Sequence, residues 1–295
     1  MDTAAQQRPP AGTLVLDHVS HFVSDLLAAA NALEALGFAV TPRSAQSTPQ
    51  GPVGTSNVCV MLEQGYLEFL APTANTPHAQ RLRTAMQRHR GVHLACFGTP
   101  AAEEEHARLA RHGFDPLPVV HLERPVEAGS DTRMARFKVA RLPPDAMPEG
   151  RIQFAEHLTP DVLWQPQFLK HANGVAGLAC VFVVAADVVK TAARWARFAA
   201  LLPQAAGDYV HLATSRGHVL VGTRARWQAL LGRAPDAPAL AGYALECLDP
   251  EPLVSHCARI GRAPRRIRDN LYAVTLPRAL GGAWLFGTRQ ALALP

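Results

Sequence analysis

The feature that most constrains this chain is a repeat. Residues 14–38, LVLDHVSHFVSDLLAAANALEALGF, read as a strand, a sharp turn and an amphipathic helix. Ser24 and Asp25 stand at the helix start, where a side-chain oxygen can cap free N–H groups and an acid suits the dipole. Leu26, Ala29, Ala30, Leu33 and Leu36 fall on one helical face, and Gly37 supplies the stop. Strands are expected at 38–42, 57–62 and 65–71, with a turn-rich stretch at 44–54 holding no element. The order is β-α-β-β-β.

The same order recurs three times. A second unit opens at 91–98 (GVHLACFG), with Thr99 as N-cap, Pro100 in the first helical position and Gly113 as stop. Its later strands fall at 114–122, 134–140 and 150–155. A third opens at 177–185, continues through a helix at 187–202 and has strands at 209–213 and 218–222. A fourth opens at 242–248, with Asp249 as cap, Gly261 as stop and strands at 271–276 and 283–286. Four units of about 60–80 residues decide the fold before any single motif does. One unit alone leaves an exposed sheet edge and an uncovered face; two can share a cleft with helices outside. The expected fold class is therefore α+β: four tandem βαβββ modules, paired into two curved-sheet clefts. The boundary falls in the irregular segment 157–173, giving domains at 14–165 and 174–290.

Composition narrows the function. The charge is +5, carried almost wholly by arginine. The densest basic cluster, 262–268, has no interleaved aromatics and no nucleic-acid motif, so it reads as a solvated face. No apolar run approaches a membrane span. Residues 1–12 lack a signal-peptide pattern and read as a loose tail, so a cytoplasmic protein is expected. The five cysteines form no C-x-x-C pair and read as reduced, mostly buried residues.

The unit order, with His18 in the first strand (LDHV) and Glu68 in the last (YLEF), resembles the vicinal oxygen chelate superfamily. That superfamily includes glyoxalases, extradiol dioxygenases, epimerases and antibiotic-binding resistance proteins. Gly54-Thr55-Ser56-Asn57, and Glu156-His157 ahead of Thr159-Pro160 and Leu163-Trp164, more narrowly resemble its glyoxalase-like domain family. The closer resemblance covers 14–178.

The residues carry their own argument. Strand side chains alternate faces, so His18 and Glu68 can converge on one cleft. Aligning GVHLA with LDHVS places His93 in the position of His18, and aligning GRIQF with GYLEF places Gln153 in that of Glu68. His18, Glu68 and His93 would form a two-histidine, one-carboxylate set suited to one divalent metal (Zn, Ni, Mn or Fe), with open positions. Gln153 completes it, or His157 takes that place or serves as a base. Glu68 and His157 are the candidate catalytic residues; Asn57 and Arg133 are candidate substrate contacts. In the second half Cys180 falls opposite His18, Tyr243 falls opposite His93, and the closing strands carry no acid. That half is expected to lack a metal and to cover the cleft, build a homodimer interface or stabilise the first half. The expected function is metal-dependent chemistry (lyase, isomerase or dioxygenase) on a small α-hydroxy, α-keto or catechol-like substrate. The alternative is a metal-free small-molecule binding protein of the resistance type.

Overall fold

In the computed structural model, residues 3–128 and 131–294 are described. The first unit comprises β1 (Val15–Phe22), α1 (Leu26–Ala35), β2 (Ser44–Thr48), β3 (Gly51–Met61) and β4 (Tyr66–Pro72). A helix not anticipated from the repeat, α2 (Pro77–Arg88), leads to the second: β5 (Val92–Gly98), α3 (Ala102–Arg111), β6 (Leu117–Ala128), β7 (Asp131–Arg141) and β8 (Arg151–His157). A short helix, α4 (Pro160–Leu163), follows. The third unit is β9 (Val175–Val184), α5 (Val188–Ala199), β10 (Pro203–Ala206), β11 (Tyr209–Ala213) and β12 (His218–Gly222). After α6 (Arg224–Leu231), the fourth is β13 (Ala239–Cys247), α7 (Glu251–Arg259), β14 (Arg265–Arg268), β15 (Leu271–Thr275) and β16 (Ala283–Gly287), ending in α8 (Arg289–Leu292).

The four-module α+β architecture is the expected one, but the two pairs close differently. The first eight strands form a closed barrel in the order β1-β4-β3-β2-β6-β7-β8-β5, and the last eight form an open sheet, β10-β11-β12-β9-β13-β16-β15-β14. Barrel closure depends on the stretch expected to be a turn. Residues 44–48 are β2, which pairs with β3 and meets β6 at Ser47↔Glu123. The polar SAQST sequence hid a strand whose fit comes from its neighbours rather than its own propensity. The predicted strand at 38–42 is absent; Thr41 meets Cys59 twice, its N–H donating to the Cys59 carbonyl (2.9 Å) and its Oγ1 accepting from Cys59 N–H (2.9 Å).

Helix ends follow local chemistry. Asp25, not Ser24, caps α1 by accepting from Ala28 N–H. Thr99 does not cap α3; Glu156, pointing away from the barrel interior, accepts from Ala102 N–H (3.0 Å). The N-terminal segment is pinned rather than loose. Gln7 is fully buried and donates to the Glu63 carbonyl, while Arg8 donates to the His157 carbonyl.

One hydrophobic core joins the two halves. Leu16, Val19, Ala95 and Phe97 on the outer face of the barrel belong to the same cluster as Val181, Val183, Tyr243 and Leu245. Tyr243 therefore faces this core and not a cleft. There its hydroxyl donates to His21 Nε2 (3.1 Å), and His21 Nδ1 donates to the Leu280 carbonyl (2.9 Å). The other face of the open sheet is partly covered: Cys180, Phe182 and Leu220 pack with Trp227, Leu231 and Ala291 of α6 and α8, and Cys180 and Leu220 also line a cavity of about 680 Å³. Burial pushes the Cys180 thiol up to about 12. Among the described residues, no helix is long and apolar enough to cross a membrane.

Candidate functional site

Polar side chains gather in part of the barrel interior. His18, Tyr66, Glu68 and Gln153 line one cavity of about 50 Å³, together with Gln46, Arg124 and side chains of β6 and β7. Three strands supply the three candidate metal donors. His18 comes from β1, Glu68 from β4, and Gln153 from β8.

Strand register explains which expectations converge. β1 and β4 run parallel with His18↔Tyr66 and Ser20↔Glu68; β5 and β8 run parallel with Leu94↔Arg151 and Cys96↔Gln153. Between the modules, His18 pairs with Cys96 and Ser20 with Leu94. The pseudo-two-fold thus relates Glu68 to Gln153, as the repeat alignment has it. It relates His18 to Leu94, not to His93. A one-residue offset moves a strand side chain to the other face. His93 stacks on Phe22 (4.9 Å) and His89 (4.3 Å) and hydrogen-bonds to the His89 carbonyl. Burial, then the neighbouring His89 and His21, lower it to about 3. It is not part of the cavity wall.

Asp17, which sequence reasoning passed over, organises the histidines. Its Oδ2 lies 2.6 Å from His18 Nδ1, and its Oδ1 lies 2.9 Å from His157 Nε2. All three residues are buried. Burial opposes the carboxylate charge, but His157 and His18 outweigh it and hold Asp17 well below the usual carboxylate range. His18 Nδ1–H donates to Asp17; burial disfavours a charged ring, but Cys96 and Asp17 outweigh it and raise the imidazole well above its ordinary value, so a metal at Nε2 would replace a proton. A carboxylate behind the far ring nitrogen is the usual support of a metal-binding histidine. Asp17, His18 and Cys96 also bring one ligand atom each within 4.8 Å of one another. His157 packs against Trp164 (5.0 Å) and Phe137 (5.3 Å), and its Nδ1 is buried without a partner. It supports His18 through Asp17 and does not line the cavity.

Glu68 is held by polar neighbours. Ser20 Oγ donates to one carboxylate oxygen (2.5 Å); Asn57 Nδ2 (2.6 Å) and Gln46 Nε2 (3.2 Å) donate to the other. Asn57 accepts from Arg124 Nη1 (3.3 Å), so it bridges an arginine to Glu68. Arg133 is placed outside: exposed on the surface, it pairs with Asp161 (2.7 Å).

The residues fit a metal in part. Gln153 Oε1 is buried without a hydrogen-bond partner. An unpartnered buried acceptor is costly, and an ion would satisfy it. One nitrogen, one carboxylate and one amide oxygen form a donor set for a divalent ion, with Leu94 where a fourth ligand would stand.

Gly65, just before β4, has φ +81°, and a Cβ there would lie 2.6 Å from the Asp17 carbonyl oxygen. Gly65→Ala is expected to destabilise the protein by about 2 kcal/mol, through strained φ and a displaced β1 backbone. The urea midpoint measures it.

Residues 16–199, more than half of the chain, match the sequence model of the glyoxalase-like domain family. No curated protein matches the sequence. Similar solved structures include a hypothetical protein from Staphylococcus aureus, at 11% identity and TM-score 0.64, covering 93% of this chain and 99% of that one. A mutant 4-hydroxymandelate synthase from Streptomyces coelicolor has 15% identity and TM-score 0.55 over 94% of both chains. A Mn(II)-bound glyoxalase from Novosphingobium aromaticivorans has 9% identity and TM-score 0.55, covering 94% of this chain and 82% of that one. At these identities the likeness concerns the fold.

Proposed function

The chain belongs to the glyoxalase-like domain family of the vicinal oxygen chelate superfamily, and from that premise we propose a metal-dependent enzyme acting on a small oxygenated substrate. The substrate class is α-hydroxy, α-keto or catechol-like, with two neighbouring oxygens. His18, Glu68 and Gln153 would hold one divalent ion: Zn, Ni, Mn or Fe. Such an ion supplies electrophilic stabilisation of negative charge developing on substrate oxygen. Asp17 fixes the His18 tautomer, and His157 fixes Asp17. Glu68 is the proton-moving candidate, oriented by Ser20 and Asn57. The observation carrying this reading is the partnerless Gln153 oxygen in the wall shared with His18 and Glu68.

One observation favours a second reading. Glu68 is already bonded at both oxygens by side chains of the barrel. A carboxylate satisfied this way suits a metal-free binding protein of the resistance type. Elemental analysis separates the two. About one equivalent of divalent metal is expected in the wild type, lost in His18→Ala and Glu68→Ala and retained in His93→Ala. Folded wild-type protein that takes up no metal at any loading overturns the enzyme reading in favour of the second.

A further inference from the structure

A second pocket, of about 290 Å³, opens at one rim of the barrel. The end of β1, the starts of β5, β6 and β8, and the end of β7 meet there beneath α2. Its floor is apolar, with Phe22, Leu82 and Ile152 in the wall. Its charge is not balanced. Arg141 and Arg151 stand partly buried in the wall and Arg81 stands exposed on α2. None of the three forms an ion pair with a carboxylate among the described residues.

The polar partners they have are weak ones. Arg151 Nη1 lies 3.4 Å from His78 Nε2, and Arg81 Nε donates to the Pro77 carbonyl. Arg141 Nε is buried with no partner. Two acids are in the wall. Glu149 is taken by Arg194 and by Trp195 Nε1, and Asp145 is exposed and pairs with none of the three. Burial, then Arg151, Arg141 and Arg81, lower His78 to about 3. His78 is therefore neutral and accepts from Arg151. Like charges crowded in a half-buried pocket with no paired carboxylate are unfavourable unless something anionic joins them.

We propose that this pocket binds a small organic anion, its carboxylate or phosphate head on Arg141 and Arg151 and its apolar body against Phe22, Leu82 and Ile152. Planar guanidinium groups match both heads through paired, charge-assisted hydrogen bonds. The inference stands apart from the metal reading, because its readout is binding and not turnover.

Isothermal titration with benzoate, phenyl phosphate and inorganic phosphate tests it. The two aromatic anions are expected to bind, and inorganic phosphate more weakly because it leaves the apolar wall unused. The stronger of the two aromatic probes identifies the head group. Arg141→Met and Arg151→Met should each weaken binding about ten-fold, as loss of a charge-assisted contact does. Arg133→Met, on the surface, should leave it unchanged. The thermal midpoint of Arg151→Met should hold or rise, since a repelling charge is gone; a merely structural arginine would lower it. No heat from either aromatic anion, or binding unaltered in both pocket variants, overturns the proposal.

Discussion

Asp17→Ala is expected to lower the unfolding free energy by about 3–5 kcal/mol at neutral pH, the range for removing one member of a buried charged network. Asp17 is fully buried and is shared by two imidazoles at 2.6 and 2.9 Å. Its removal leaves His18 Nδ1 and His157 Nε2 without the carboxylate they share. It also frees the His18 ring to rotate, so metal affinity should fall with stability. Asp17→Asn keeps the shape and should fall between wild type and the alanine variant. The pH range follows from the lowered carboxylate. Its contribution is complete above the ordinary carboxylate pKa and is lost as pH falls through the lower folded value. Urea unfolding at pH 7 measures the effect, and a loss under about 1 kcal/mol would mean that the network is not what holds β1 and β8 together.

Acid should weaken the protein earlier, through His21. Burial lowers its imidazole from 6.5 to about 4, and both ring nitrogens are committed in the neutral form. Below pH 6.5 the unfolded chain takes up a proton that the folded chain refuses, so stability falls as pH falls. The fall ends near pH 4 and amounts to roughly 3 kcal/mol for this residue. His93, lowered to about 3, adds to the same slope from pH 6.5 and carries it below pH 4. Urea midpoints between pH 7.5 and 4.5 should show the decline, and His21→Asn should make it shallower while lowering the plateau, the rest of the slope coming from His93 and His78. A wild-type midpoint constant over that range would falsify the buried neutral assignment. The site of failure is specific: protonated His21 can no longer accept from Tyr243, so the contact between barrel and open sheet is the first to suffer.

The repeat was legible because helix stops are chemical. Gly37, Gly113 and Gly261 each take positive φ after a helix. Glu68 and Gln153 were legible because period-two alternation and a preceding glycine fixed their phase. His93 was not, because β1 and β5 carry register shifts between Leu16 and His18 and between Ser20 and His21. Such bulges leave no trace in hydrophobic pattern. The same irregularity hid Asp17. Strict alternation turns it away from His18, whereas the structure brings the two side chains into contact. Barrel closure was hidden for another reason: β2 is polar and short, and the bridge to β6 that closes the barrel reaches a strand distant in sequence.

The shared core between barrel and open sheet bears on how the chain matures. The first strands of the modules pack back to back, β1 against β9 and β5 against β13. Everything needed to close the barrel has been synthesised by His157, yet the core that holds Leu16, Val19, Ala95 and Phe97 is completed by residues beyond 175, Trp195 and Phe198 against Phe97 among them. A nascent chain halted between these points would display a wide apolar surface while its polar interior was already assembled. The barrel half therefore leaves the ribosome as a sticky intermediate, and translation of the second half is the step that makes it safe from aggregation.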